Sequence, residues 1–211
     1  FGGAGNDTLD GGDGDATLSG DGGDDLLRGD GGDDRLFGGD GADTLQGGTG
    51  DDSLSGGAGD DRFDLDRASG TDTVSDFDMT VEDGRTADQL DVSDLRTPAG
   101  DPITWRDVVV TDTNGDGTGD AVLTFPEGES VVLVGVTPDQ VDSKQQMAAI
   151  GIPCFVRGTP ILTPGGWRAV EQLVPGDLVQ TDDGPRPVIW AGARRVSAAE
   201  MAARPGLAPV R

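Results

Sequence analysis

Residues 2–64 consist of seven consecutive nine-residue units, which read GGAGNDTLD, GGDGDATLS, GDGGDDLLR, GDGGDDRLF, GGDGADTLQ, GGTGDDSLS and GGAGDDRFD. The first six positions of each unit are rich in glycine and aspartate. The eighth position always holds a large apolar side chain, in the series Leu9, Leu18, Leu27, Leu36, Leu45, Leu54 and Phe63. A fixed period of this kind indicates a repeat architecture, in which each unit buries its apolar side chain against its neighbours.

The two parts of each unit predict two kinds of backbone. Glycine accepts positive φ, so the first six positions predict a tight turn. The last three positions predict a short β-strand, whose middle side chain points to one face and whose neighbours point to the other. Two successive units would form one coil of a flattened spiral, with the apolar side chains of alternate units on its two inner walls. The predicted core is therefore thin but continuous along the spiral axis.

Aspartate occupies the sixth position of every unit except the second, which has Ala16. Stacked strands lie about 4.8 Å apart, and two unit charges at about 5 Å repel by roughly 3 kcal/mol at an effective dielectric constant near 20. One buried leucine per unit contributes only about 1.5–3 kcal/mol. The stack therefore requires a hard divalent cation, and Ca²⁺ fits better than Mg²⁺ because it accepts six to eight carboxylate and carbonyl oxygens. Calcium ions are the predicted cofactor and partner.

These units resemble the GGxGxDxUx nonapeptide of the repeats-in-toxin (RTX) family. The resemblance implies a parallel β-roll over residues 1–64, with Ca²⁺ between turns two units apart. Seven units give five such pairs, and the pair that contains Ala16 is expected to be weak, which leaves four well-formed sites. The alternative, a flexible Gly/Asp linker, does not account for an apolar residue at every ninth position. The implied ligand residues are Asp7, Asp25, Asp34, Asp43, Asp52 and Asp61, together with Gly2, Gly20, Gly29, Gly38, Gly47, Gly56, Asp24 and Asp33.

Residues 65–137 predict a β-rich cap for the end of the stack, because a repeat array needs its terminal face covered. Alternating and β-branched runs predict strands at residues 72–77, 88–92, 105–110, 121–125 and 131–134, with a turn at 126–129 between the last two. Residues 138–153 predict a short helix and linker. Thr137 and Gln140 match a capping box with proline at the first helical position, so the helix is expected to run from Pro138 to about Ala149.

The segment between residues 112 and 120 allows two interpretations. Oxygen-bearing side chains stand at relative positions 1, 3, 5 and 9, with glycine at position 6, which resembles the first part of an EF-hand-type calcium loop. The glutamate expected at position 12 is replaced by Leu123. An Asn/Gly/Asp hairpin turn accounts for the same residues. The candidate ligands are Asp112, Asn114, Asp116 and Asp120.

Composition excludes several classes of protein. The net charge is −25 and there is no histidine, so the chain has neither the basic patch of a nucleic-acid binder nor the imidazole of common catalytic triads. No run is long and apolar enough to insert into a membrane. The charge changes at Cys154, the single cysteine: residues 1–64 carry 17 Asp against 3 Arg, whereas residues 154–211 carry 5 acids and 7 arginines. A domain boundary is predicted at this point.

Residues 154–211 resemble the first part of a Hint domain, the self-processing fold of Hedgehog proteins and inteins. The predicted strands are 160–163, 167–170, 178–181 and 188–190. The resemblance implies an incomplete Hint-type β domain in which the Cys154 thiol is the nucleophile that attacks the carbonyl of Pro153. The matching residues are Cys154, Phe155, Gly158, Thr159, Ile161, Thr163, Gly166, Val170, Glu171, Leu173, Gly176, Asp177, Val179 and Thr181.

The fold expected for the whole chain is all-β: a β-roll, a β-rich cap and part of a Hint domain. The expected function is calcium binding that drives folding of a secreted, extracellular or bacterial cell-surface protein. Two alternatives stay open. The full-length protein could process itself at Cys154, or the chain could be the non-catalytic tail of a secreted hydrolase. Whether the chain has enzymatic activity, and whether it has a protein or carbohydrate partner, is left undecided by the sequence.

Overall fold

Each interior strand of the repeats is formed by the end of one unit and the start of the next. A computed structural model describes residues 1–82, 84–153, 160–164, 166–169, 178–181 and 184–187. The interior strands are six residues long, because each continues through the first three positions of the next unit. The expected strand of three residues was therefore too short. The strands are β1 Gly3–Ala4, β2 Thr8–Asp10, β3 Thr17–Gly22, β4 Leu26–Gly31, β5 Arg35–Asp40, β6 Thr44–Thr49, β7 Ser53–Ala58 and β8 Arg62–Asp64.

The strands alternate between two parallel sheets. Strands β1, β3, β5 and β7 belong to one sheet, and β2, β4, β6 and β8 belong to the other. Each residue pairs with the residue 18 positions later, as in the pairing of Leu9 with Leu27 and of Leu18 with Leu36. The prediction of two units per coil, with alternate leucines on opposite walls, is confirmed.

The core of the roll is formed by the eighth-position side chains. Leu27, Leu36, Leu45, Leu54 and Phe63 have no exposed surface at all. Leu9 and Leu18, in the first described coil, are only partly buried. The apolar side chains are therefore less buried in the first coil than in the coils that follow it.

The cap continues both walls without a break. Strand β9 (Thr71–Val74) lies parallel to β7, and β12 (Gln89–Asp91) lies parallel to β8. Val74 and Leu90 thereby extend the two apolar columns. A meander of β13 (Val109–Asp112), β14 (Ala121–Thr124) and β15 (Ser130–Leu133) then completes the larger sheet, in which β15 is parallel to β9. A two-stranded ribbon, β10 (Val81–Glu82) and β11 (Arg85–Thr86), stands apart from these sheets.

Two expectations for the cap were wrong in detail. Residues 105–107 form a turn, and the strand expected at 105–110 begins only at Val109. The expected continuous helix is divided into a 3₁₀ helix, Pro138–Gln140, and an α-helix, α1, at Lys144–Ala149. The division follows from a second capping box, since Ser143 Oγ accepts a hydrogen bond from the Gln146 N–H and Gln146 Oε1 accepts one from the Ser143 N–H.

The chain divides into two units, residues 1–154 and residues 155–211. In the second unit, β16 (Pro160–Thr163) pairs antiparallel with β17 (Gly166–Ala169), and β18 (Leu178–Thr181) pairs antiparallel with β19 (Gly184–Pro187). Three of these strands correspond to predicted ones, with β17 shifted by one residue. Cys154 and the strand predicted at 188–190 lie outside the described residues.

Substitution of the core leucines should show how stability is distributed along the roll. Leu45→Ala removes a fully buried side chain and should lower the free energy of unfolding by about 2–5 kcal/mol. Leu9→Ala removes a side chain that is only partly buried and should cost less. Urea unfolding of both variants at one saturating calcium concentration measures the difference, and equal losses would contradict this distribution.

Candidate calcium sites in the stacked turns

The aspartates at the sixth position tie successive coils together. From the third unit to the seventh, Oδ1 accepts a hydrogen bond from the backbone N–H of the residue 18 positions earlier. On one wall Asp25 accepts from Asp7 at 2.7 Å and Asp43 accepts from Asp25 at 2.8 Å. On the other wall Asp34 accepts from Ala16 at 2.7 Å and Asp52 from Asp34 at 2.8 Å. One oxygen of each carboxylate is therefore used in the backbone stack.

The second oxygen of each of these carboxylates has no partner. Asp25, Asp34, Asp43, Asp52 and Asp61 are 1–3% exposed. A buried polar atom without a partner carries its full desolvation cost, and for an ionised group this cost is large. A cation at each of these oxygens would remove that cost. The unpartnered atoms are Oδ2 of Asp7, Asp25, Asp34, Asp43, Asp52 and Asp61.

The glycine at the first position of a unit forms a cradle around this oxygen. A Cβ placed on Gly2 would lie 2.7 Å from Asp7 Oδ2 and 3.0 Å from the carbonyl oxygen of Gly20, one coil later. A side chain there would therefore fill the space where a carboxylate oxygen and a carbonyl oxygen come together. The same two kinds of oxygen surround Gly20, Gly29 and Gly38, whose carbonyl partners are those of Gly38, Gly47 and Gly56.

The cradle of the second unit lacks the carboxylate. A Cβ on Gly11 would lie 2.7 Å from the carbonyl oxygen of Gly29, but its other neighbour is the methyl group of Ala16 at 3.0 Å. Four cradles therefore combine a carboxylate oxygen with a carbonyl oxygen, and these oxygens suit Ca²⁺. The expected ligand residues at the first and sixth positions lie in or beside these cradles.

The turns depend on two left-handed residues in each unit. The second and fourth positions have positive φ throughout, for example +103° at Gly48 and +129° at Gly50. Asp21 and Asp30 occupy the second position in two units and adopt φ of +71°, which aspartate tolerates better than most residues do. This alternation turns the chain tightly enough to bring first-position and sixth-position oxygens together.

The fifth-position residues form a separate, exposed ladder. Asn6 Oδ1 accepts from the Asp24 N–H, Asp24 Oδ1 from the Ala42 N–H, and Asp33 Oδ1 from the Asp51 N–H, each at 3.0 Å. These side chains point toward the following coil and are exposed. Asp24 and Asp33, which were expected among the ligands, therefore lie in this outer ladder and not among the unpartnered buried oxygens.

Burial makes several of the stacked carboxylates weak acids. It is the main cause that raises the pKa of Asp61 from 3.8 to about 7 and that of Asp72 from 3.8 to about 8. Neighbouring carboxylates add to both shifts, and hydrogen bonds from backbone N–H groups oppose them. Burial also raises the pKa of Asp43 and of Asp52. Without a cation, the folded stack therefore holds protons that exposed aspartates would have released.

The loop between β13 and β14 has the geometry of a hairpin turn. Asp112 Oδ2 accepts from the N–H groups of Asp116 and Gly117, and Asp116 Oδ1 accepts from the N–H of Thr118. Asp120 Oδ1 accepts from the N–H of Gly135. Backbone donors of the loop and of Gly135 thus bond to one oxygen of each of the three candidate carboxylates, Asp112, Asp116 and Asp120. Within the described residues no three His, Cys, Asp or Glu side chains converge as a metal-binding group.

Comparison with known families agrees with the stacked turns. The family model of the RTX calcium-binding nonapeptide repeat matches residues 1–36, 10–45 and 37–74. Residues 1–74 are RTX repeats. The family model of the Hint domain matches residues 153–211, so the two resemblances noted in the sequence are confirmed. The chain pairs an RTX region with a Hint-domain segment.

Among solved structures, the chain is similar to the solution structure of a subunit of the mannuronan C5-epimerase of Azotobacter vinelandii. The two share 32% sequence identity over 58% of this chain and 72% of that subunit, with a TM-score of 0.44. No curated protein matches the chain significantly. In the part of the chain that the structure describes, no helix has the length and apolar character needed to cross a membrane.

Asp43→Asn should remove the negative charge at a sixth position while keeping the hydrogen bond that this side chain accepts from the Asp25 N–H. Asparagine retains an oxygen that can accept the Asp25 N–H but places an amide where the unpartnered Oδ2 lies. The loss of one charged ligand should weaken calcium binding at that site by about 10- to 100-fold, corresponding to about 1.5–3 kcal/mol. Isothermal titration calorimetry measures this effect.

Asp24→Asn is the matched control, because Asn6 already makes the same fifth-position bond. It should leave the calorimetric isotherm close to that of the unaltered chain. An equal loss of affinity in both variants would mean that the charge of the outer ladder, and not the orphaned oxygen, governs binding.

The calcium-free stack should become more stable as the pH falls. With pKa values near 7 and 8 for Asp61 and Asp72, the folded chain binds protons between about pH 4 and 8 that the unfolded chain does not. The free energy of unfolding therefore rises as the pH falls through this window. Far-UV circular dichroism in excess chelator at about pH 8 and about pH 5.5 tests the sign, because the folded fraction should be larger at about pH 5.5, and a weaker β signal there would contradict it.

Proposed function

We propose that the RTX repeats bind calcium ions and that this binding drives folding of the chain outside the cell. The observation that carries the proposal is the column of buried, unpartnered carboxylate oxygens, each in contact with a glycine cradle. The RTX family match supports the choice of calcium.

The residues around each cradle account for the coupling between binding and folding. Carboxylates from neighbouring coils approach one another only in the folded chain, so their repulsion opposes folding until a cation lies between them. A cation that binds only the folded form stabilises it by RT ln(1 + [L]/Kd). Because one coil supplies the carboxylate oxygen and the next coil supplies the carbonyl oxygen, each ion joins two coils. Binding of one ion therefore prepares the neighbouring coil for the next.

The extracellular setting follows from the calcium concentration that such sites require. Extracellular calcium modules work at dissociation constants of about 10⁻⁴–10⁻³ M, whereas cytosolic buffers bind far more tightly. Sites that require unfavourable folding at the same time bind weakly overall. The chain would stay unfolded where calcium is scarce and would fold on reaching a calcium-rich medium, which suits a secreted or bacterial cell-surface protein.

A second candidate function is self-cleavage of the chain at Cys154, and the Hint-domain match at residues 153–211 supports it. In this reaction the Cys154 sulfur attacks the carbonyl carbon of Pro153, the peptide C–N bond breaks, and the nitrogen of Cys154 becomes a free amine while a thioester forms. The chain has no histidine to protonate that nitrogen. The proton would have to come from another group. Water would then have to attack the thioester carbonyl, which leaves a carboxylate on Pro153 and releases the Cys154 thiol, and two fragments separated before Cys154 in a mass spectrum are the test.

Calcium titration monitored by far-UV circular dichroism tests the main proposal. The chain should change cooperatively from a coil spectrum to a β spectrum with Ca²⁺ and should not do so with Mg²⁺, which keeps its waters. An intact mass before and after the titration separates folding from cleavage. A spectrum that does not change with Ca²⁺ would overturn the proposal, and a cleaved product would favour the second candidate.

A further inference from the structure

Residues 150–153, which lead to the predicted cleavage point, are held to the cap by backbone hydrogen bonds. The Leu90 N–H donates to the Ile150 carbonyl oxygen at 2.7 Å, and the Ile152 N–H donates to a carbonyl oxygen of α1 at 2.9 Å. Both isoleucine side chains are fully buried. Gly151 packs so closely on β12 that a Cβ placed on it would collide with the Leu90 carbonyl oxygen. The segment is therefore fixed between β12 and α1.

The last carbonyl of this segment also has a backbone donor. The Trp105 N–H donates to the Pro153 carbonyl oxygen at 3.2 Å. This is the carbonyl that the Cys154 sulfur attacks in the self-cleavage reaction. Donor and acceptor both lie within residues 1–154, so the hydrogen bond reaches the reacting oxygen from the cap.

The donor belongs to a β-turn that is braced by its own side chains. The Asp107 N–H donates to the Thr104 carbonyl oxygen at 2.9 Å, which closes the turn and places Trp105 at its second position. Asp107 Oδ2 accepts from the Thr104 N–H at 2.8 Å and from the Thr104 hydroxyl at 2.6 Å. The Trp105 side chain packs against the buried core. The turn therefore leaves the Trp105 N–H free of internal bonds and holds it at Pro153.

We propose that the Trp105 N–H stabilises the negative charge that forms on the Pro153 carbonyl oxygen during self-cleavage at Cys154. The inference rests on the second candidate function and adds to it a donor outside the residues that the Hint-domain model matches. When the sulfur adds to the carbonyl carbon, an electron pair of the C=O bond moves to the oxygen. It returns when the C–N bond breaks. The thiol loses one proton and the nitrogen gains one, so the shift from amide to thioester is balanced.

This hydrogen bond favours the transition state over the starting peptide. A hydrogen bond to a charged oxygen is roughly twice as strong as one between neutral groups, and only an interaction that strengthens in the transition state accelerates a reaction. A donor that is already in place needs no reorganisation when the charge forms. The cap thereby becomes part of the reacting site. Since the cap continues both walls of the roll, folding of the repeats also prepares the carbonyl for attack.

Cleavage of the calcium-saturated chain by excess dithiothreitol tests the inference. The thiol attacks the thioester, displaces the Cys154 sulfur and separates the chain before Cys154, and mass spectrometry measures the rate. Trp105→Pro removes the N–H, and proline suits the second position of a β-turn. Trp105→Ala is the matched control, because it also loses the indole but keeps the N–H. Cleavage should be about 100-fold slower in Trp105→Pro than in Trp105→Ala.

Nuclear magnetic resonance observes the same hydrogen bond before any thiol is added. Cys154 is the single cysteine, so isotopic labelling of the proline carbonyl carbons and the cysteine nitrogen gives one correlated signal, that of the Pro153–Cys154 peptide. Its carbonyl resonance should move upfield in Trp105→Pro relative to Trp105→Ala, because the carbonyl loses its donor. If circular dichroism shows that Trp105→Pro does not fold, replacement of Trp105 by its α-hydroxy acid removes the same N–H and keeps the indole.

The outcomes separate this inference from the reaction on which it rests. Equal cleavage rates in Trp105→Ala and in the folded variant without the N–H, or an unchanged carbonyl resonance, would overturn the inference and leave self-cleavage in place. An unaltered chain that the thiol does not cleave in calcium would overturn the second candidate function, and the inference with it.

Discussion

Everything in the roll depends on the contact between acidic turns stacked one coil apart. The backbone ladder and the leucine columns hold the coils in an 18-residue register, and that register places carboxylates where they oppose one another. One oxygen of each carboxylate joins the hydrogen-bonded stack, while the other is buried with no donor. The chain's own donors therefore leave the polar interior of the roll incomplete, and the proposed calcium ions would complete it.

Most turn positions have their own structural requirement, which explains why the sequence of the repeat varies so little. First-position glycines leave space at the carboxylate, second- and fourth-position residues turn the backbone, and sixth-position aspartates provide the charge. The fifth position is less constrained, since the side-chain oxygen of an asparagine or aspartate there accepts only one exposed hydrogen bond from a backbone N–H. Ala42 occupies this position in the fifth unit, so the outer ladder tolerates interruption better than the inner column does.

Period and phase were enough to predict the two walls and the buried leucines, because both depend on local spacing within a unit, whereas the ligand residues of the turns were implied by the resemblance to the RTX repeat. A further left-handed turn at residues 67–72 was not predicted, because its sequence RASGTD has one glycine and follows two extra residues, Leu65 and Asp66, that break the period. A signal was nevertheless present: Asp72 stands two residues before Val74, as Asp52 stands two residues before Leu54. The division into a 3₁₀ helix and α1 was also not predicted, because the capping box that begins at Ser143 lies inside the segment predicted as one longer helix.

The alternation of walls has a consequence for how such a chain can change its length. Strand β9 follows one wall and β12 follows the other, so each cap strand matches the parity of the units that precede it. Because each strand stacks on the strand two units earlier, loss or gain of a single unit would move every earlier unit to the opposite wall and leave each cap strand stacked on the same last two units. The roll can therefore change its length in steps of one nine-residue unit, which is half a coil.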